Sequence, residues 1–535
     1  MTSPIDLNPR SLQTVERILA DYVPHCEVRA YGSRARWEAK DYSDLDLAIV
    51  GADKCDGRIL GDLREAFEES DLPIRVEVVD WHAIDDAFRS RIEPDCVVIR
   101  QAGKRIEIML GDVCVKIGSG ATPRGGKQAY VRNGPCSLIR SQNVHNTGFS
   151  HDGLASITQE QAESLQNVEV LRDDVLLNIT GDSVARVCQV DPLVLPARVN
   201  QHVAIVRPDA SKLEPEYLRY YLASPESQST LLRWASSGGT RNALTKHMIE
   251  SFVVQAPADL SEQRTIARSL GALDDKIELN RRMSETLDEM GRALFKSWFV
   301  DFDPVHAKAE GRPTGLPTEI DELFPDSFEP SELGPIPAGW QVKALGDVIN
   351  VNPRRSIRRG DVATHVEMAA MPTTGPQVTA LGRRSYTSGS RFTRSDTLLA
   401  RITPSLENGK AALVDFLDDG EIGWGSTELI VLRPKPPWPP EIAYAIAREP
   451  NFREHAIVNT TGTSGRQRVP AEAIAAYILA SPPPGVALAF GSLIHPWFER
   501  VTCLGRQSCA LETLRDTLLP RLLSGEMRMP TAEVA

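Results

Sequence analysis

Ile266-Ala267-Arg268-Ser269-Leu270-Gly271-Ala272-Leu273-Asp274-Asp275-Lys276-Ile277 is the stretch from which the architecture unfolds. Its apolar residues Ile266, Leu270, Leu273 and Ile277 step by four and three. The series continues through Asn280, Ser284, Leu287, Gly291, Leu294 and Trp298. Only a helix keeps such positions on one face, and the 4-3 alternation is that of a coiled-coil seam over about five heptads. At 1.5 Å per residue the segment Glu262–Trp298 predicts a rod of roughly 55 Å.

A second stripe lies between Pro482-Pro483-Pro484 and Pro520, at Phe490, Ile494, Trp497, Val501, Leu504, Leu511 and Leu518, with Ser508 and Arg515 as exceptions. Pro496 predicts a kink or a late start, because proline lacks the amide that a helix interior needs. Each apolar stripe needs a partner, and the nearest is the other helix of the same chain. We therefore expect two antiparallel spacer helices, at 261–300 and 485–530.

What precedes each helix is related. Leu110-Gly111-Asp112-Val113 recurs as Leu345-Gly346-Asp347-Val348, Asp174-Val175-Leu176-Leu177 as Asp396-Thr397-Leu398-Leu399, and Ser237-Gly238-Gly239-Thr240, loosely, as Thr460-Thr461-Gly462-Thr463. A self-match at long period marks a duplicated domain. Short apolar runs between Gly, Asn and Pro turn signals make both copies β-rich. The expected α+β arrangement is a separate α/β domain at 1–104, β-rich domains at 105–260 and 339–484, the two helices, and a linker at 301–338.

The 535 residues carry 60 Lys+Arg and 72 Asp+Glu, a net charge of −12, which at first speaks against a polyanionic partner. The charge is uneven. Residues 1–100 hold 13 basic and 21 acidic side chains, residues 101–150 hold 7 and 2, and residues 351–410 hold 10 and 4. Lys116, Arg124, Lys127, Arg132 and Arg140 form one basic group. Arg354, Arg355, Arg358, Arg359, Arg383, Arg384, Arg391, Arg394, Arg401 and Lys410 form the other. Both suit phosphate contact. A hydrophobic content of 41% with 25% charged residues excludes disorder as the main state. The eight cysteines include no C-x-x-C pair, so a zinc ribbon is not indicated and a reducing compartment is expected. Neither a signal peptide nor an apolar membrane span is recognisable, so a cytoplasmic location is expected.

The residues 105–530 resemble the specificity subunits of type I restriction-modification systems. The likeness rests on Ser261-Glu262-Gln263-Arg264-Thr265-Ile266-Ala267, on Ala400-Arg401-Ile402-Thr403-Pro404-Ser405-Leu406-Glu407-Asn408-Gly409-Lys410, on Gly423-Trp424-Gly425-Ser426-Thr427-Glu428, and on the tail from Leu514 to Glu526. The resemblance implies two target recognition domains reading a bipartite stretch of double-stranded DNA. It also implies docking of two modification (methyltransferase) subunits and, through the complex, restriction subunits. The second helix lacks the Glu-Gln start found at Glu262-Gln263. Neither a methyltransferase tetrad nor a P-loop occurs; Gly125-Gly126-Lys127-Gln128 lacks the first glycine and the Ser/Thr. This part is therefore expected to be non-catalytic.

The first hundred residues read differently. Gly32-Ser33 ends a short strand, and Ser43-Asp44-Leu45-Asp46-Leu47 follows ten residues later. Strand period puts Asp44 and Asp46 on one face, where two carboxylates repel unless a cation intervenes. On a later strand, Ile74–Asp80, Glu77 is the better third acid than Asp80. The pattern resembles the minimal nucleotidyltransferase domain of the polymerase-β-like superfamily, whose third acid is usually Asp. The resemblance implies Mg²⁺ held by Asp44, Asp46 and Glu77, an ATP triphosphate on Gly32 and Ser33, and transfer of a nucleotide, in some relatives to a toxin partner. A second functional reading is thus an adenylylating enzyme that uses the remainder as a targeting scaffold.

Overall fold

The computed structural model describes residues 4–527 apart from 24–25, 41, 52–53, 101–104, 124–127, 129, 238–241 and 464–465. Contacts divide the chain into two compact units, Met1–Asp274 with Glu512–Ala535, and Asp275–Leu511. It is an α+β molecule with β-rich domains and long helices.

In the first unit, the N-terminal part is a four-stranded sheet. Its strands are β1 (Glu27–Tyr31), β2 (Leu45–Val50), β3 (Val76–Asp80) and β4 (Val97–Arg100), in the order β3-β2-β1-β4. Strands β2 and β3 run parallel, and the other pairs are antiparallel. Helix Pro9–Tyr22 starts where Asn8 accepts the Ser11 amide at 2.8 Å, and helix Gly57–Glu68 where Asp56 accepts that of Arg58. Their apolar stripes deliver Val15, Leu19 and Leu63 onto Leu45, Leu47 and Ile49.

The rest of the first unit holds two four-stranded sheets. One has the order Val187–Gln189, Val175–Asn178, Val203–Pro208, Cys114–Ser119, with every pair antiparallel. The other has the order Ala155–Ile157, Cys136–Ile139, Ala197–Val199, Glu169–Val170, with its central pair parallel. The second unit repeats both. Ala411–Leu413, Thr397–Ala400, Leu429–Pro434 and Ile349–Val351 form the first, all antiparallel. Gly382–Ser385, Val362–Val366, Ile422–Gly425 and Ser390–Thr393 form the second, again with a parallel central pair. The Leu-Gly-Asp-Val tetrads become short helices at matching places, Leu110–Val113 and Leu345–Val348.

The Asp-Val-Leu-Leu and Asp-Thr-Leu-Leu motifs owe their composition to burial on both faces. Leu176 faces one core and Val175 with Leu177 another; Leu398 and Leu399 divide in the same way. A strand covered on both sides reads as a continuous apolar run, not an alternation.

Each long helix is unbroken, Leu260–Phe299 and Pro484–Ser524. Pro496 does not mark a late start. The helix begins at Pro484, where proline lacks only an amide that the first turn would leave unpaired anyway, and it runs through Pro496. In the first unit Ile266, Ala267 and Leu270 pack with Leu519, Leu522 and Leu523. In the second, Phe295 and Trp298 pack with Phe490. Within each unit the helix segments run antiparallel, since later residues of one meet earlier residues of the other.

Residues 301–338, expected as a linker, are a built part of the second unit. They form helix Asp303–Ala309 and the hairpin Phe328–Ser331 with Gly334–Pro337. Val305, Phe324 and Ile336 are buried in its core, with the Phe324 ring 5.0 Å from that of Trp298.

Candidate functional site

The Gly-Ser turn and the acidic strand face each other in the N-terminal sheet. Tyr31 pairs with Asp46 across β1 and β2, and Asp46 pairs with Glu77 across β2 and β3. Strand register therefore sets Asp46 beside Glu77. Burial, then the charges of Glu77 and Asp44, push the Asp46 carboxyl upward. The Tyr31 hydroxyl, partly buried beside Asp46 and Glu77, is pushed up to about 12. Gly32 has φ +79°, and a Cβ there would stand 2.3 Å from the Asp46 Oδ2. Any other residue would strain this turn and push that carboxylate aside. Arg34 is buried and ties the turn down, donating to the carbonyls of Ser43 and Asp6. Asp80 is structural: it accepts the amides of Cys55 and His82.

The donor set suits Mg²⁺ in kind: hard carboxylate oxygens on adjacent strands beside a glycine cradle. Among the described residues, no group of three His, Cys, Asp or Glu side chains stands close enough together to hold a metal. The Glu77 carboxylate lies 3.5 Å from the guanidinium of Arg75.

The basic residues fall into two groups. In the first β-rich domain Arg132 is exposed, Lys116 donates to the Asn167 carbonyl, and Arg140 donates to the Gly153 carbonyl and lies over Tyr130. Arg124 and Lys127 lie outside the described residues, as do Gly238, Gly239 and Thr240. In the second domain Arg354, Arg358 and Arg359 are exposed on one loop. Arg383 and Arg384 are exposed on the edge strand beside it. Tyr386 binds this loop through both its amide and its carbonyl, to Asp361 and Gly360. Arg401 and Lys410 sit deeper: both are half-buried, and Lys410 donates to the Met368 carbonyl at 2.8 Å.

Each β-rich domain also has an ion pair on a buried aspartate that the motifs did not reveal. Asp174 binds Arg207 and Asp396 binds Arg433, each at 2.5 Å from Nε to Oδ1. The aspartates open the repeated motif, but their arginines lie 33 and 37 residues on, with no fixed spacing to betray them. Burial pushes the Asp396 carboxyl upward against the pull of the Thr393 amide, Arg433 and Arg355.

The helix seam uses the predicted residues Ile266, Leu270, Phe490, Ile494, Val501 and Leu504 in buried positions. Leu273, Ile277, Leu287, Leu294, Trp497, Leu511 and Leu518 are half-buried. The polar interruptions have reasons. Asn280 is buried and donates to Gln507 and Ser508, and Gly291 leaves room for the Phe498 ring. Phe498, Leu522 and Leu523 were not expected in the seam; they lie outside the heptad choice and are buried.

A β-rich domain present twice, each copy followed by a long helix, defines a tandem scaffold. Residues 107–289 match the type I restriction modification DNA specificity domain. The type I restriction enzyme HindI specificity subunit of Haemophilus influenzae is 23% identical over 436 residues, 73% of this chain and 94% of that one. The MjaIX specificity subunit of Methanocaldococcus jannaschii is 25% identical over 325 residues, 59% and 69%. The probable protein adenylyltransferase MntA of H. influenzae is 43% identical over 103 residues, 19% of this chain and 90% of that one. The chain belongs to the type I restriction-modification specificity subunits, with an N-terminal part related to MntA. Among the described residues no helix is long and apolar enough to cross a membrane.

Proposed function

We propose that this specificity subunit works in the cytoplasm and reads a bipartite duplex target, one part with each recognition domain. It docks two modification subunits and, through the complex, restriction subunits. The observation that carries this is the duplication itself: two domains with the same strand orders and the same parallel central pair. A pair of similar readers suits a target in two parts. The chain supplies the choice of sequence, and its partners supply the chemistry. Methylome sequencing of a host with and without the gene tests this. One bipartite motif is expected to lose its methylation when the gene is removed; an unchanged set of motifs would overturn it.

A second activity is favoured by the N-terminal site. Asp44, Asp46 and Glu77 would hold Mg²⁺ once Glu77 turns from Arg75, and Gly32 with Ser33 would receive the triphosphate of ATP. The bound ion would shield the phosphates' charge during nucleotidyl transfer to a protein partner such as a toxin. Transfer of label from α-labelled ATP to a co-expressed partner, abolished in Asp44→Ala/Asp46→Ala, is the expected result. Equal labelling by the double variant would remove these residues from the role.

A further inference from the structure

Asn352, Pro353, Arg354, Arg355, Arg391 and Val431 are the main lining of an open cavity of about 410 Å³ in the second recognition domain, completed by Gly389 and Ser390. Three arginines around so small a space concentrate positive charge, which favours an anion there. The nearest acid is already shared between two guanidinium groups. Asp396 is bound to Arg433 at 2.5 Å, while Arg355 stands 3.9 Å from it. Arg391 donates to the Arg355 carbonyl and lies 5.5 Å from the centre of the Tyr386 ring, neighbours that hold the group in place and leave its charge uncompensated.

The wall is shaped by two unusual backbone positions. Asn352 takes φ +53°, and Gly389 takes φ +142° where a Cβ would stand 1.9 Å from the Gly425 carbonyl oxygen. Non-glycine residues rarely adopt such a φ, and these conformations gather at ligand sites.

The first recognition domain closes the corresponding place. Pairing of Glu169 with Arg198 matches pairing of Arg391 with Trp424 at the edge of the same sheet, so an acid stands where the second domain has Arg391. Glu169 is engaged by Arg198 at 3.4 Å. Ile117 pairs with Val206 as Val351 pairs with Leu432, so along this strand Gly120 corresponds to Arg354, and a Cβ at Gly120 would stand 1.8 Å from the Val199 carbonyl oxygen. Backbone crowds this position, where the other copy has an arginine lining its cavity.

We propose that this cavity is a phosphate seat, present in one recognition domain and absent from the other, in which Arg354, Arg355 and Arg391 clamp a backbone phosphate of the DNA. The inference rests on the reading of the chain as a target-binding subunit. A free nucleotide carries the same chemistry, and the test separates the two sources.

The experiment uses the full chain assembled with its modification subunits and measures affinity for a duplex with the methylated motif across a salt series. In Arg354→Ala/Arg391→Ala the slope of log affinity against log salt is expected to become shallower by about 0.9 for each phosphate that is no longer held. Affinity falls alike for specific and non-specific duplexes, and the methylated motif stays the same. Arg391→Lys, which keeps the charge, should retain most of the slope. Methylphosphonate substitution at one backbone position in the half-site of the second domain should weaken the native complex and leave the double variant unaffected. A native slope in a folded double variant overturns the proposal. So does competition of ATP or inorganic phosphate for the site with no response to any methylphosphonate. A native complex that selects no duplex at all would overturn the target-binding reading beneath it.

Discussion

The paired helices are held differently in the two units. In the first, Asp274 is gripped by Arg219 at 2.7 Å, by Arg515 at 2.8 Å and by the Tyr220 hydroxyl at 2.7 Å. In the second, Gly291 lets the Phe498 ring approach, and Phe490 stacks edge-on against Phe299 with centroids 4.9 Å apart. The helices start at Leu260 and Pro484, and the same offset of 224 residues relates Asp274 to Phe498 and Gly291 to Arg515. The polar grip and the aromatic one thus occupy equivalent positions of the duplication. Duplication preserved the backbone and let the chemistry of the seam diverge. A charged cluster demands one register, whereas packed rings tolerate small slips.

The largest expected effect breaks the polar side. Asp274→Ala leaves Arg219 and Arg515 buried without their carboxylate, a loss of about 3–5 kcal/mol. Hydrogen exchange should quicken in 262–274 and 512–524 and stay native in 284–299. Equal loosening in both units would erase the distinction. Gly291→Leu tests the other side. Overpacking against Phe498 should cost about 1–3 kcal/mol, read by denaturant titration, with exchange rising only in the second unit.

Acid separates the two grips without mutation. Burial alone would raise the Asp274 carboxyl, but Arg219, with hydrogen bonds from Arg515 and Tyr220, brings it below the ordinary carboxylate range. A depressed acid contributes stability above its unfolded pKa of about 3.9 and loses it as pH falls through the lower folded value. Exchange protection of 262–274 should therefore weaken below about pH 4, and in Asp274→Asn this acid step should vanish. The smallest effect is expected from Asn280→Leu, within about 1 kcal/mol of native. Removal of a buried, unpartnered Oδ1 offsets the missing hydrogen bonds to Gln507 and Ser508.

The sequence made the duplication and both long helices legible because their signals are local and periodic: a repeated tetrad, a twice-buried strand, a heptad stripe. The pairing of Asp46 with Glu77 was legible for the same reason, strand period being enough to set both on one face. Interactions across long separations were not. Arg219 and Arg515 reach Asp274 from 55 and 241 residues away, and nothing near Asp274 announces them. The region 301–338 read as a linker because its Pro and Gly residues mask single apolar anchors, Val305, Phe324 and Ile336, that follow no period. The cavity beside Arg391 depends on a backbone turn at Gly389 and on what its counterpart lacks, and neither has a sequence period.

Arg105 donates to the Leu523 carbonyl across 418 residues, and Leu519, Leu522 and Leu523 complete the core around Leu270. During synthesis the first recognition domain is therefore left with an open apolar face until residues 512–524 have emerged, long after its own strands have been made. The second unit, continuous from Asp275 to Leu511, has all of its segments before that point. A message cut short between residues 511 and 523 would spare the unit made later and leave the earlier one unfinished, so an intact first unit certifies that translation passed residue 523.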